Sequence, residues 1–160
     1  MTINEQQWRN LMGMYVTGVN VVTTVDADGK PVGFTANAFS SVSLEPPLLL
    51  VCADKKSETL KSVIETKRFC VNMLCQEQET IAMTFASKKA DKFADITYRT
   101  GVSGLPVIEG CIGSIELELV DLHPAADHFI LIGKGLTFYS GDRVAMPLTF
   151  FGGQFHRLSI

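Results

Sequence analysis

The residues best suited to chemistry lie in one stretch, GFTANAFSSVSLEPPLLLVC, at positions 33–52. Its first half mixes small polar side chains with alanines, and a Pro-Pro pair then opens an apolar run that ends at Cys52. Small side chains let a ligand approach the backbone, and hydroxyl and amide groups can hydrogen-bond its polar edge. The apolar run is typical of a buried strand. Together they predict a cradle for a planar ligand that carries many acceptors.

A candidate anion site follows at CADKKS, residues 52–57. The pattern predicts that a strand ends near Ala53 and that a helix begins after its N-cap, Ser57. The first amides of a helix are unpaired donors with positive dipole character, so they suit a phosphate. Ser57 could add a hydroxyl, and Lys55 or Lys56 could add charge. The alternative is an ordinary helix cap with solvated lysines. For any single strand-to-helix junction taken alone, this alternative is the favoured interpretation.

The chain has three histidines. His123 precedes a proline in an expected turn and is assigned to the surface. His128 follows Asp127 and opens a long apolar run, and His156 lies near the end of the chain. A metal site built from His123, Asp127 and His128 is an alternative, but their spacing matches no standard site.

The common nucleotide and nucleophile motifs do not occur in the sequence. The segment 133–135 (GKG) lacks the third glycine of a Rossmann turn and lies inside a strand pattern. We expect its glycines to relieve curvature or to admit another backbone. There is no GxxxxGK[ST] and no GxSxG. The four cysteines fall on apolar segments without CxxC spacing, which predicts buried free thiols, although a cysteine–histidine pair stays open. They are Cys52, Cys70, Cys75 and Cys111.

The composition predicts one apolar, lightly charged domain. Of the 160 residues, 46% are hydrophobic and 19% are charged. One domain of this size cannot easily bury so much apolar surface, so we expect a homodimer. The net charge of -3 argues against a nucleic-acid surface. No apolar run has the length of a membrane span and the N-terminus lacks signal-peptide features, so we expect a cytoplasmic protein.

The elements that must position these groups are mostly strands, which predicts a mostly β barrel or sandwich. Alternating residues at 112–122 predict a half-buried strand with Ser114 and Glu116 toward solvent. Asn72 is polar within an apolar strand and is expected to bond a neighbouring backbone group rather than a ligand. Helices are expected at 4–15, 57–66 and 77–86; strands at 19–25, 31–39, 47–53, 68–74, 112–122, 128–139, 147–152 and 154–158; a hairpin turn at 26–30; and a polar, irregular segment at 87–104.

The stretch TANAFSSVSLEPPLLLVC resembles the flavin-contacting segment of the short-chain flavin reductases, the reductase components of two-component flavin monooxygenases. The resemblance continues, in family order, at RFCVNML, LPVIEG, DHFILIG and FFGGQFHR, so it covers nearly the whole of 1–160 as a single domain. It implies a split β-barrel with Greek-key order. It also implies a homodimer with flavin clefts near the interface, FMN or FAD with NADH or NADPH, and no metal.

The resemblance further implies which residues bind. Two departures are visible: Ala126 replaces the glycine of the family's Gly-Asp-His, and Phe155 stands where the family often has tyrosine. The implied flavin set, including the wall formed by the segments at 85–86 and 92–93, is Thr35, Ala36, Asn37, Ala38, Ser41, Val42, Cys52, Ala53, Lys56, Ser57, Phe85, Ala86 and Phe93. The alternative for Phe85 and Phe93 is that their rings belong to the core. The implied nicotinamide set is His128, Phe155 and His156.

The implied function is an NAD(P)H-dependent flavin reductase that passes a hydride to N5 of the flavin and supplies reduced flavin to a separate monooxygenase. Hydride transfer requires no acid–base residue, so no catalytic side chain is assigned. A flavin-binding module or electron carrier on the same barrel is the alternative, and a barrel enzyme with cysteine or metal chemistry is a third. The sequence leaves open the choice of flavin, whether it stays bound, and the partner oxygenase.

Overall fold

The protein folds around one seven-stranded sheet in a computed structural model that describes residues 2–141 and 145–158. The helices are α1 (Glu5–Gly13), α2 (Glu58–Thr66) and α3 (Glu79–Ala86), with a 3₁₀ turn at Gln76–Gln78. The strands are β1 (Thr17–Gly18), β2 (Asn20–Val25), β3 (Pro31–Ala36), β4 (Phe39–Leu44), β5 (Pro47–Asp54), β6 (Arg68–Met73), β7 (Tyr98–Thr100), β8 (Pro106–Ile108), β9 (Gly113–Ala125), β10 (His128–Ser140), β11 (Thr149–Phe151) and β12 (Gln154–His156).

The order of the strands forces the large sheet to curl. It runs β3-β2-β6-β9-β10-β5-β4, so its two edge strands are consecutive in the chain. Only Asn37 and Ala38 join them. A flat sheet of this width would separate its edges by about 29 Å, whereas three Cα–Cα steps reach at most about 11 Å. The sheet therefore curls until its edge strands β3 and β4 approach each other, as in a split barrel. The amide of Cys52 donates to the carbonyl of Ala38 (3.1 Å), which extends the β4–β5 ladder by one residue into the link.

Two apolar clusters hold the fold together. One fills the barrel and includes Phe69, Leu117 and Leu131, each fully buried. The other lies under α3 and includes Phe85 and Leu148. Burial of such side chains stabilises by about 1.5–3 kcal/mol each, so these clusters fix the strands that carry the candidate site.

The glycines at 133–135 act in packing. A Cβ on Gly133 would lie 2.6 Å from the ring of Phe69, and register shifts of β10 against β9 flank this point. The expected close approach is confirmed, but the approaching group is a core side chain rather than another backbone.

Helix α2 begins after its expected N-cap, whereas α1 ends at Gly13, two residues before its expected end. Asn4 caps α1 in a reciprocal capping box with Gln7. The hydroxyl of Ser57 accepts the amide of Leu60 at the start of α2 (3.3 Å), and Lys67 ends that helix with a left-handed φ of 56°. Helix α1 has no buried residue. Within the described residues, no helix is both long enough and apolar enough to cross a membrane.

Three expectations about the strands are wrong. Ser114 and Glu116 are 3% and 0% exposed, because the β7–β8 segment covers that face of β9. Ser103 donates its amide to the Glu116 carboxylate (3.1 Å), and Tyr139 donates its hydroxyl (2.9 Å). The expected strand 31–39 ends at Ala36, where the chain changes edges. Strand β7 lies in the segment 87–104 that is expected to be irregular, and it pairs with β8 just beyond that segment.

Candidate functional site

A cleft of about 420 Å³ opens where the start of α2 meets the start of β3 and the segment after α3. Four lysines line it: Lys56, Lys88, Lys89 and Lys92. Glu58 lines it as well but is paired with Lys61 (2.8 Å). Positive charge and the amides of a helix start therefore face one cavity, which is an environment suited to an anion. We call it the lysine cleft.

Lys92 contributes both a positive charge and structural hydrogen bonds to this cleft. Its ammonium donates to the carbonyl of Phe85 at the end of α3 (2.9 Å) and to that of Gly33 on β3 (3.3 Å). Partial burial lowers the pKa of this lysine. A cation is stabilised at a helix C-terminus. The side chain thus pins the segment 87–92 against β3 and holds the wall of the cleft.

Ser57 caps α2 and can still donate a hydrogen bond to a ligand in the lysine cleft. Its oxygen accepts the amide of Leu60, and the hydroxyl can still donate its proton. Just before it, the Lys56 amide donates to the Asp54 side chain (2.8 Å). The cap and the anion site are therefore compatible at this junction.

In the small-residue segment 35–41, some groups are already hydrogen-bonded or buried and others are accessible to a ligand. The Thr35 hydroxyl donates to the carbonyl of Ala82 on α3, and Ala36 is buried in the barrel core. Asn37 and Ala38 are exposed at the link between the two edge strands. Ser41 is exposed but lines a different surface from the lysine cleft. Of the segment's implied binding groups, the link is therefore the best placed to meet a ligand.

Other members of the implied flavin set are found in several environments. Phe85 and Phe93 are 0% and 6% exposed and pack edge to face at 4.9 Å. Their rings belong to the core, so the structure gives them no ligand-facing surface. Ala53 is also buried. Cys52 is half-buried, and Val42 and Ala86 are exposed.

A second cleft, of about 840 Å³, lies between α1, the β11–β12 turn and the start of β10. His128 and Asn37 both line it. The imidazole Nδ1 of His128 lies 2.9 Å from the Asp127 carboxylate. This hydrogen bond is the main cause that lowers the pKa of Asp127, so the carboxylate stays ionised and orients the ring. We call this cavity the His128 cleft.

The rest of the implied nicotinamide set does not line this cleft. Phe155 packs against Phe150 with 5.5 Å between ring centroids. The Nε2 atom of His156 lies 3.0 Å from the carbonyl of Phe151, on the same β11–β12 hairpin. Sequence reasoning missed Trp8 and Arg9 of α1, which do line it. Trp8 recurs with Leu11, Met12 and Tyr15 at helical spacing, a pattern that is equally typical of core packing, and Arg9 gave no signal.

The replacement of glycine at position 126 keeps the backbone geometry that glycine adopts easily. Ala126 has φ of 50°, in the left-handed region. The β9–β10 turn therefore presents Asp127 and His128 despite the alanine.

Asn72 is a structural residue, as expected. It is fully buried, and its amide nitrogen donates to the Val21 carbonyl and the Thr23 hydroxyl. Its oxygen accepts the amide of Ile108 and the hydroxyl of Ser114, both at 2.9 Å. This side chain joins four segments and has no capacity left for a ligand.

The cysteines are free thiols, three buried and one half-buried at Cys52. Burial raises the pKa of Cys70 and of Cys111 to about 12, so neither is a nucleophile near neutral pH. In the described ranges 2–141 and 145–158, no three His, Cys, Asp or Glu side chains are grouped to hold a metal ion.

Comparison with known proteins assigns this architecture. The family described as flavin reductase like domain matches residues 12–159. The reductase subunit HsaB of a flavin-dependent monooxygenase from Rhodococcus jostii is 37% identical over 96% of this chain and 77% of that protein. The FMN reductase (NADH) SmoA from Agrobacterium fabrum is 35% identical over 98% and 87%. The structure of Streptomyces globisporus C-1027 NADH:FAD oxidoreductase SgcE6 in complex with NAD and FAD fragments superposes with a TM-score of 0.91, 32% identity and coverage of 99% and 97%.

The chain therefore belongs to the flavin reductase family. The expected split-barrel fold and the assignment to an oxidoreductase family are confirmed. The expected classes of cofactor, a flavin and a nicotinamide nucleotide, match those that the names of these relatives print.

Proposed function

We propose that this protein is an NAD(P)H:flavin oxidoreductase that supplies reduced flavin to a partner monooxygenase in the cytoplasm. The observation that carries the proposal is that β3 connects the two clefts. Gly33 borders the lysine cleft, and Asn37, just beyond the strand, borders the His128 cleft. Four residues of extended chain span about 13 Å. One elongated ligand could therefore place its anionic end among the lysines and its ring beside His128.

The residues along this path suit a flavin. The lysine cleft would take the phosphate, with Lys56 and Ser57 at the start of α2. The small residue Ala38 would leave room for the ring, and Asn37 offers an amide to its polar edge. When bound, the flavin supplies the chemistry by accepting a hydride from reduced nicotinamide. The protein binds, orients and shields the reacting rings.

The nicotinamide nucleotide would enter the His128 cleft. His128 can hydrogen-bond a carboxamide or a phosphate, and Asp127 holds its ring orientation through the 2.9 Å contact. Arg9 of α1 lines the same cleft and adds a cation for an anionic ligand. No proton has to move for the hydride step, so the Asp127–His128 pair is assigned to binding and orientation rather than to acid–base catalysis.

The unpartnered apolar face supports a homodimer. Leu44 at the end of β4 is 93% exposed, and Phe138 on β10 is 72% exposed. Both line one open apolar cavity with Phe39 and Leu48. Monomeric proteins rarely expose a contiguous patch of this kind. Because Ala38 and Phe39 adjoin the proposed flavin path, a second copy on this face would lie beside the flavin.

Steady-state oxidation of NADH and of NADPH with FMN, FAD and riboflavin in turn tests the proposal. We expect flavin-dependent consumption of at least one nicotinamide nucleotide. Protein that binds flavin but oxidises neither would instead be a flavin-binding module. Sedimentation equilibrium checks the dimer: a stable 17.5 kDa species at micromolar concentration would contradict it.

A further inference from the structure

Lys55 joins the start of the lysine cleft to the turn that carries His128. Its amide donates to the carbonyl of Asp127 (3.0 Å). Its ammonium donates to the carbonyl of Ala126 and lies 5.1 Å from the centroid of the Phe129 ring. One residue of the β5–α2 junction thus contacts Ala126, Asp127 and Phe129 of the β9–β10 hairpin.

The β9–β10 turn that Lys55 contacts contains a residue in an unfavourable backbone conformation. Ala126 adopts a left-handed φ of 50°, a conformation that a Cβ disfavours and that glycine would adopt freely. The carbonyl that accepts the Lys55 ammonium belongs to this residue. The hydrogen bond therefore acts on the one peptide of the hairpin whose conformation is costly.

The same side chain also acts on the partner of His128. The hydrogen bond from His128 lowers the pKa of Asp127 the most, and the positive charge of Lys55 makes the smallest contribution in the same direction. The ionised carboxylate is the group that orients the imidazole. Lys55 is itself exposed and does not line the His128 cleft as described. Its influence on that cleft is therefore indirect.

We propose that Lys55 is a positioning residue for the nicotinamide site: it fixes the Ala126 turn and so sets His128 for the reduced nicotinamide nucleotide. This inference rests on the proposed reductase function. It adds a residue that acts through His128 rather than by touching the nucleotide.

The test compares Lys55→Met, which keeps the aliphatic stem on Phe129 but removes the donor and the charge, with Lys55→Arg, which keeps both. We expect Lys55→Met to raise KM for NADH about threefold with kcat nearly unchanged, the effect of losing one modest hydrogen bond. Lys55→Arg should stay close to the wild type. Lys30→Met, at an exposed lysine in the β2–β3 turn, is the matched control and should also leave KM unchanged.

A double-mutant cycle separates positioning from general structure. In a His128→Ala background, Lys55→Met should have no further effect on KM, because its target has been removed. An unchanged KM in the single variant, or the same threefold rise with His128 absent, would overturn the inference. If Lys55→Met does not fold, Lys55→Gln carries the comparison. Wild-type protein that oxidises neither NADH nor NADPH would defeat the proposed function itself, which is a separate result.

Discussion

Asn37 and His128 line the same cleft, although one belongs to the link after β3 and the other opens β10. The curl of the sheet brings them together. The link at Asn37 and Ala38 crosses from edge strand β3 to edge strand β4, and β10 pairs with β5, the neighbour of β4. His128 lies opposite Asp54 in that pairing. The two candidate sites inferred from separate stretches of sequence are therefore adjacent in the fold.

This relationship predicts the effect of His128→Ala. We expect KM for NADH to rise about tenfold, equivalent to ~1.4 kcal/mol of lost binding, while flavin affinity changes little. Steady-state kinetics and flavin titration measure the two quantities. His123→Ala is the control, because His123 is exposed and paired with Asp121. A variant that stays folded but no longer binds flavin would show that the division between the clefts is wrong.

The lysine cleft predicts a difference between FMN and riboflavin. Ser57→Ala should weaken FMN by roughly 1.5–3 kcal/mol through loss of a hydrogen bond to a charged group, and riboflavin much less. It should also cost about 1 kcal/mol of stability, because Ser57 caps α2. Asn4→Ala removes the cap of α1 and is the matched control for flavin binding. Equal losses for both flavins in titration would place the phosphate elsewhere.

Asn72 predicts a large effect on stability and none on the site. Asn72→Leu leaves the amide of Ile108 and the hydroxyl of Ser114 without their buried acceptor. Each such group costs about 1–3 kcal/mol, so the free energy of unfolding in urea should fall by about 2–6 kcal/mol. Asn10→Leu, at an exposed position on α1, should change it little. Flavin affinity lost from a still-folded Asn72→Leu would assign Asn72 to the ligand.

The buried thiols predict a fall in stability at alkaline pH. Burial, followed by the nearby charge of Glu116, raises the pKa of Cys70 from its ordinary value near 9 to about 12. The contribution of Cys70 to the free energy of unfolding is complete below pH 9. It is lost between pH 9 and 12, because in that range the thiol loses its proton in the unfolded chain but keeps it in the folded protein. The fall for one such group is at most about 1.4 kcal/mol per pH unit.

The variant Cys70→Val isolates this contribution. Its free energy of unfolding should decline less steeply than that of the wild type between about pH 9 and pH 10.5, and the other alkaline groups cancel in the comparison. The reference for each protein is its own stability near neutral pH, where Cys70 is protonated in both states. Identical slopes would show that the folded thiol titrates normally.

Much of the fold follows from local sequence, and the site does so only in part. Helix α2 begins at its N-cap Ser57 and the hairpin turn at Gly29 has the expected positive φ of 77°, because capping and turn chemistry are local. The burial of Glu116 could not be read from its alternating strand, because the covering segment lies elsewhere in the chain. The rings of Phe85 and Phe93 match a family segment, but only their packing shows that they face the core.

The central claim is that reduced nicotinamide passes its hydride to a flavin held between the two clefts. Anaerobic mixing of the flavin-loaded protein with one equivalent of NADH tests it most directly. We predict complete loss of the oxidised-flavin absorbance, with one NADH consumed per flavin and a slower reaction when the transferred hydrogen is deuterium. Flavin that stays bound and oxidised while NADH remains unconsumed would contradict the account.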